Sequence, residues 1–198
     1  KTETWNGTNW TEVNDLNTAK NEGGSCGATN TAALQFGGTT GSITGTTESW
    51  NGTNWTEVND LNTARVGLAG AGNYTSALAF GGNEPATSAK TEEWNGTNWA
   101  ETTDISLGRY GQQGFGIVTS ALICGGQGGG TNYYKNTELY NGSNWTEVND
   151  ISFERSFGGS AGSDNTSGLI FGGYDDSPTD LRTVKVELWN GSSWTEQA

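Results

Sequence analysis

Residues 5–10 read Trp5-Asn6-Gly7-Thr8-Asn9-Trp10, and this hexapeptide or a close variant occurs five times in the chain. The other copies span Trp50–Trp55, Trp94–Trp99, Tyr140–Trp145 and Trp189–Trp194. Successive first aromatics lie 45, 44, 46 and 49 residues apart. A fixed period of this size is typical of solenoids and propellers, whose units bury a core only by packing on one another. The sequence therefore predicts a single repeat domain over residues 1–198.

A second repeated signal lies between the hexapeptides, an apolar run that ends in Gly-Gly. It occurs four times, as Leu34–Gly38, Leu78–Gly82, Leu122–Gly126 and Leu169–Gly173. Asn-Gly favours a tight hairpin turn, and short apolar runs bounded by turn residues are typical of strands. In the second unit these signals predict antiparallel strands at residues 66–72, 76–81, 90–94 and 99–102. Repeated four-stranded units predict an all-β fold, a β-propeller of four-stranded antiparallel blades.

The two aromatic residues of each hexapeptide are predicted to lie on the same sheet face, within cross-strand reach. Each large ring removes roughly 150 to 250 Å² from water when it is buried, so a few rings can hold small blades together. We therefore expect blade packing to rest on ten aromatic residues: Trp5, Trp10, Trp50, Trp55, Trp94, Trp99, Tyr140, Trp145, Trp189 and Trp194.

The two signals do not occur equally often. Four Gly-Gly runs predict four inner strand pairs, whereas five hexapeptides predict five outer hairpins. We expect a surplus N-terminal hairpin and linker over residues 1–19, followed by four complete blades over residues 20–64, 65–108, 109–154 and 155–198. A five-bladed ring with an incomplete blade and a segment of a longer array are the alternatives.

Charge and composition restrict the classes of function. The formal net charge is −13, with nine Lys and Arg residues and no His. Because phosphates attract basic residues, this charge disfavours binding to nucleic acids and to anionic membranes. Without His there is no Ser-His-Asp triad and no His metal site. We therefore expect a protein that is not an enzyme and carries no cofactor or metal. We also expect no membrane insertion, because no apolar run approaches the length of a transmembrane helix, and no signal peptide is visible.

Charged residues recur at matching positions in the units, which favours structural roles because an active site is normally a single place. We expect the basic residues before strand one to bridge adjacent blades and the linker aspartates to accept hydrogen bonds from backbone N–H groups in their turns. The recurring sets are Glu48, Glu92, Glu138 and Glu187, then Arg65, Arg109 and Arg155, then Asp15, Asp60, Asp104 and Asp150. Small residues in strand one, Gly above all, are expected to relieve crowding at the propeller axis. Cys26 and Cys124 are expected to fill the core.

The repeat resembles the kelch-type propeller family, which includes galactose-oxidase-like domains. The resemblance rests on Gly-Gly after strand two, an aromatic residue 12 to 16 positions later, a Trp five residues after that and a basic residue before the next strand one. It covers nearly the whole chain. The spacing from the aromatic to the Trp is shorter than is usual in that family, and Trp replaces the usual Tyr. The resemblance implies a propeller fold, which is compatible with many functions.

The connections between strands two and three differ in length and chemistry, unlike the rest of the unit. Variable loops on a constant scaffold usually carry recognition. The third and fourth connections supply six candidate ligand-binding residues: Tyr133, Tyr134, Tyr174, Asp175, Asp176 and Asp180. Aromatic rings beside carboxylates suit a sugar, whose apolar face stacks on a ring and whose hydroxyls form hydrogen bonds.

These features favour a non-catalytic binding module, extracellular or on a virion surface, that recognises a surface glycan or protein through the variable strand 2–3 loops. The alternative is a structural component of a phage fibre, a capsid or an extracellular filament. In that case the surplus hairpin or the disc faces would assemble the chain into a homo-oligomer or a larger structure.

Overall fold

The computed structural model describes residues 1–130, 132–175 and 182–197, which contain eighteen β-strands. The N-terminal hairpin comprises β1 (Thr2–Trp5) and β2 (Trp10–Val13). Blade 1 comprises β3 (Gly24–Thr29), β4 (Ala32–Phe36), β5 (Thr47–Trp50) and β6 (Trp55–Val58). Blade 2 comprises β7 (Ala69–Asn73), β8 (Ser76–Phe80), β9 (Thr91–Trp94) and β10 (Trp99–Glu101). Blade 3 comprises β11 (Gln113–Ile117), β12 (Ser120–Cys124), β13 (Thr137–Tyr140) and β14 (Trp145–Val148), and blade 4 comprises β15 (Gly159–Asp164), β16 (Ser167–Phe171), β17 (Val186–Trp189) and β18 (Trp194–Gln197).

Each blade is an antiparallel sheet whose strands neighbour one another in sequence order. The four blades follow one another around a central axis, and the N-terminal hairpin is a separate two-stranded sheet. The predicted all-β propeller with four complete blades and a surplus hairpin is therefore confirmed. Within the described ranges, no helix is long and apolar enough to cross a membrane.

The aromatic pairs of the outer hairpins lie as the sequence predicted. Trp50 is directly opposite Trp55 in the register of β5 and β6, and the other four pairs repeat this arrangement. The ring centroids of the five pairs are 4.9 to 5.6 Å apart. The turn between them spans four residues, because the Asn95 amide donates to the Asn98 carbonyl over 3.2 Å.

Strand one begins later than the sequence predicted. In blade 2, β7 starts at Ala69 rather than at Val66. Gly67 has a φ of 68°, a left-handed conformation that interrupts an extended strand. Val66 therefore forms only an isolated bridge, to Asn83 in the connection between strands two and three.

A Cβ on Gly70 would lie 2.9 Å from the Ser25 carbonyl oxygen of the neighbouring inner strand, which fits the expected crowding at the axis, and two further causes act elsewhere in strand one. Gly116 has a φ of 114°, and a Cβ there would lie 2.3 Å from the Ser120 carbonyl oxygen. Gly114 lies under the ring of Phe80 from the preceding blade, at 2.6 Å from the position of a Cβ. These residues are Gly because the strand bends tightly and because a neighbouring phenylalanine occupies the space.

Adjacent blades pack through aromatic contacts that recur around the ring. Phe36 of blade 1 meets Trp99 of blade 2 edge to face, with centroids 5.0 Å apart. The indole N–H of Trp99 donates to Thr47 Oγ1 of blade 1 over 3.1 Å. Blades 2 and 3 repeat the ring contact with Phe80 and Trp145, at 5.1 Å. Cys124 is fully buried at the corresponding position of blade 3, in a cluster with tryptophans of blade 4.

A buried basic residue and a buried glutamate connect the parts of each blade, with Lys20 in blade 1 and an arginine in blades 2, 3 and 4. Arg65 donates from Nη2 to Glu92 Oε1 over 2.9 Å and from Nη1 to two main-chain carbonyls. The same carboxylate accepts hydrogen bonds from the main-chain amides of Asn62 and Thr63 in the incoming linker. The expectation that arginine side chains bridge adjacent blades is wrong for these bonds, since the guanidinium group stays within its own repeat. The main chain forms the bridge instead, because the Arg65 carbonyl accepts from the Gly38 amide of blade 1 over 2.8 Å.

Three linker aspartates accept backbone hydrogen bonds, although at a different place from the predicted turns. Asp60 Oδ1 accepts from the amide of Thr47, the first residue of β5, over 3.1 Å. Asp15 and Asp104 accept from the amides at the starts of β1 and β9. Each of these aspartates therefore holds the end of strand four against the beginning of strand three.

The inner strands contact one another in the order β3, β7, β11, β15. A string of main-chain hydrogen bonds follows the same order, from Gly67 N to Glu22 O, from Gly111 N to Gly67 O and from Phe157 N to Gly111 O. Among the described residues, β15 and β3 share no comparable contact, and no main-chain hydrogen bond joins Phe157 back to Glu22. We call this discontinuity between blade 4 and blade 1 the seam.

Candidate functional site

A depression of about 230 Å³ lies at the propeller axis, where the four units converge just before strand one. Each blade contributes two consecutive residues to its lining, beginning at Glu22, Gly67, Gly111 and Phe157. These four residues all have positive φ values, between 54° and 68°. Four of the eight lining residues are Gly, so backbone forms much of the lining of this axial depression.

An aromatic cluster stands at the edge of the axial depression. Phe157 contacts Tyr110 at a centroid distance of 5.9 Å and Tyr174 at 6.4 Å, both edge to face. Phe157 is 43% exposed and Tyr174 is 44% exposed, so two rings offer apolar surface to solvent. Tyr110 is held by a hydrogen bond between its hydroxyl group and the side-chain amide of Gln127. The cluster thus combines one anchored ring with two accessible rings.

Polar groups lie next to these rings. Gln112 lines the depression, and its Nε2 donates to the Phe80 carbonyl over 2.9 Å. Its Oε1 is buried and has no hydrogen-bond partner in the described part of the chain. Glu22 contributes an exposed carboxylate on the blade 1 side. The depression therefore offers a negative charge and backbone groups beside aromatic surface.

Of the four predicted ligand-binding residues that the structure describes, only one lies in this cluster. Tyr174 lies in it, and Asp175 follows as a half-buried residue. Tyr133 forms a main-chain bridge to Gln127, while the hydroxyl group of Tyr134 lies over Gly128. Tyr133 and Tyr134 are both half-buried and do not line the axial depression. Asp176 and Asp180 lie outside the described residues.

Sequence reasoning missed Phe157 and Tyr110. The missed signal is the residue two positions after the basic residue of each unit, which is Glu22, Gly67, Gly111 or Phe157. A position that holds Gly in two units and a phenylalanine in a third is a place where the backbone requires Gly and one unit departs from it. Aligning the units at this position would have drawn attention to Phe157.

The two cysteines and Lys20 are largely shielded from solvent by the fold. Burial raises the pKa of both thiols, Cys26 and Cys124, to about 12, so neither is a ready nucleophile at neutral pH. Burial lowers the pKa of Lys20, whose ammonium group replaces arginine beside Glu48. In the ranges that the structure covers, no group of three or more His, Cys, Asp or Glu residues could hold a metal ion.

No protein-family model and no curated protein matches this sequence.

Proposed function

We propose that this chain is a non-catalytic binding module that recognises a surface glycan or protein through the loop face around the axial depression. The observation that carries the proposal is the exposed aromatic cluster of Tyr110, Phe157 and Tyr174. Two accessible rings beside hydrogen-bonding groups suit a sugar, because the apolar face of a pyranose stacks on a ring while its hydroxyl groups meet polar atoms.

The distribution of the carboxylates supports a role without catalysis. Glu92 is fully buried and bonded to Arg65 and to the incoming linker, so it is not available to a substrate. Glu138 and Glu187 are buried beside Arg109 and Arg155 in the same way. The absence of His from the sequence removes the commonest general base.

The proposal also covers where the protein acts and which repeat family it is related to. An acidic surface rich in Asn, Thr and Gly suits a protein displayed outside a cell or on a virion, where net charge favours solubility. The repeated order of Gly-Gly, aromatic residue and Trp supports a kelch-type relationship, with sequence divergence that leaves the blade architecture intact.

A glycan array probed with the intact chain tests this function, followed by titration of any sugar that binds. We expect Tyr174→Ala to weaken binding about tenfold or more, because a stacking ring is lost. Tyr74→Ala is the matched control, since Tyr74 is also an exposed tyrosine but lies outside the cluster. Equal affinity of both variants for the sugar would contradict a site at the axial depression.

A second candidate function, assembly into a fibre, capsid or filament, is favoured by the N-terminal hairpin. Trp10 is 65% exposed there, although its counterpart Trp99 is buried between blades. Sedimentation velocity of the intact chain and of a variant lacking residues 1–13 tests this candidate. Assembly that disappears with the hairpin, together with no binding on the glycan array, would favour the structural role over the binding module.

A further inference from the structure

The N-terminal hairpin meets blade 1 through the outer half of a normal blade interface. Trp55 Nε1 donates to Thr2 Oγ1 over 3.3 Å, as Trp99 does to Thr47. Asn14 Nδ2 donates to the Thr53 carbonyl over 2.9 Å, as Asn59 does to the corresponding carbonyl of blade 2. The hairpin therefore takes the position of strands three and four of a blade that precedes blade 1.

The inner half of that interface is vacant. Among the described strands, β1 pairs only with β2, whereas its counterpart β5 lies between β4 and β6. The edge of β1 that faces away from β2 is thus an unpaired strand edge. A cavity of about 280 Å³ lies between the hairpin and blade 1, lined by all four residues of β1 and by Trp50 and Trp55.

The vacant position lacks three partners that blade 1 supplies at its interface with blade 2. Glu3 has the place of Glu92, and in the described ranges no arginine or lysine pairs with it. The ring of Trp55 has the place of Trp99 but lacks the phenylalanine that Phe36 provides there. The free edge of β1 lacks the strand that β4 provides to β5.

Contacts of a complete blade interface are also missing closer to the axis, at the seam. Phe171 ends β16 with 44% of its surface exposed, although Phe36 and Phe80 at the same position are fully buried. The axial string of hydrogen bonds stops at Phe157 on one side of the seam and at Glu22 on the other. Both flanks of the seam therefore carry the contact groups of a blade interface without their partners.

We propose that the seam binds one more inner strand pair of this same repeat type, presented as a β-hairpin. The occupant adds its second strand to the free edge of β1. Its leading arginine or lysine pairs with Glu3, and its phenylalanine before Gly-Gly packs on Trp55. This is strand addition to a sheet edge, in which main-chain hydrogen bonds give affinity and side-chain pockets give specificity.

A synthetic peptide with the sequence of residues 61–82 tests the proposal, since these residues form the complete inner pair of blade 2 with the linker that contacts Glu92. The peptide contains no Trp, so the tryptophan fluorescence of the intact chain reports its binding. We expect saturable binding that weakens about tenfold or more when the peptide carries Phe80→Ala or when the protein carries Glu3→Gln. Glu57→Gln is the matched control, because Glu57 is also exposed and lies outside the cavity, and it should leave the affinity unchanged.

A covalent version keeps the test decisive if the free peptide does not form a hairpin. Lys1-Thr2 corresponds to Lys90-Thr91, so a copy of residues 61–89 fused before Lys1 enters the seam in the natural register. We expect this fusion to raise Tm by about 4 °C or more, whereas the same segment fused after Ala198 should not. The proposal is overturned if the two fusions have the same Tm, or if peptide binding is insensitive to both Glu3→Gln and Phe80→Ala.

Discussion

The interface between blades 1 and 2 and the interface between the N-terminal hairpin and blade 1 share their outer contacts but differ in their inner half. In both, a tryptophan indole donates to a threonine and an asparagine amide donates to a turn carbonyl. In the described ranges, only the first has a phenylalanine on the tryptophan, a buried basic residue on the strand-three glutamate (Lys20 on Glu48) and a strand on each side of strand three. The comparison shows that the inner pair supplies most of the burial in this fold.

The largest difference in the free energy of unfolding is expected between variants of the strand-three glutamates. Glu92→Ala leaves the buried Arg65 guanidinium without its carboxylate and removes the linker contacts, which should cost about 3 to 5 kcal/mol of unfolding free energy. Glu3→Ala, at the same position of the hairpin, should change that free energy by about 0.5 kcal/mol or less. Urea denaturation of both variants measures the difference, and equal losses would mean that Glu3 is also paired internally.

A smaller difference is expected at the phenylalanines before Gly-Gly. Phe36→Ala opens a cavity against Trp99 and should cost about 3 kcal/mol. Phe171→Ala, at the exposed face of blade 4, should cost about 1 kcal/mol because much of that ring is already in water. If Phe36→Ala and Phe171→Ala lose equal free energies of unfolding in urea denaturation, the exposed face of blade 4 is covered in solution.

The threonines that accept the indole hydrogen bonds sharpen the comparison further. Thr47→Val leaves the buried Trp99 N–H unsatisfied and should cost about 1 to 2 kcal/mol. Thr2→Val should cost less, because Trp55 is only half-buried and water can replace the hydroxyl group. Val186 already occupies this position in blade 4, so Val186→Thr is a control that should leave the urea midpoint unchanged.

The smallest change in the free energy of unfolding is expected at the axial string of hydrogen bonds, where one substitution should stabilise the protein. Glu22 has a φ of 54°, which a residue with a Cβ adopts at a cost. Glu22→Gly should therefore raise the free energy of unfolding by about 1 kcal/mol, whereas Gly67→Ala should lower it by a similar amount. If both changes destabilise the protein in thermal denaturation, the Glu22 side chain contributes a contact that outweighs its backbone strain.

Much of the fold could be predicted because each unit repeats the same local signals. Asn-Gly places the outer turn, and its position fixes Trp50 opposite Trp55 whatever the rest of the blade does. The counts of Gly-Gly runs and hexapeptides also predicted the surplus hairpin correctly. The late start of strand one could not be predicted, because the conformation of Gly67 depends on its hydrogen bond to Glu22 in another blade.

The candidate site was less predictable than the fold, because it forms between units rather than within one. Tyr174 was found from its loop, but Phe157 and Tyr110 come from the starts of two blades and meet only when the ring forms. Tyr133 and Tyr134 lie in an equally variable loop, yet main-chain pairing with residues 126–127 directs that loop into a compact turn. Loop variability alone therefore identified a region without identifying its ligand-facing residues.

Amide hydrogen exchange in β1 and β9 of the intact chain tests most directly whether the hairpin is an outer half-blade. The Thr2 amide faces Asp15 on the β2 side, so the alternation of an antiparallel strand turns the Glu3 and Trp5 amides towards the free edge. In β9 the matching amides of Glu92 and Trp94 face β8. We predict fast exchange at Glu3 and Trp5 and strong protection at Glu92 and Trp94. Equal protection at the two sites would contradict the account, because it would require a strand already paired with β1.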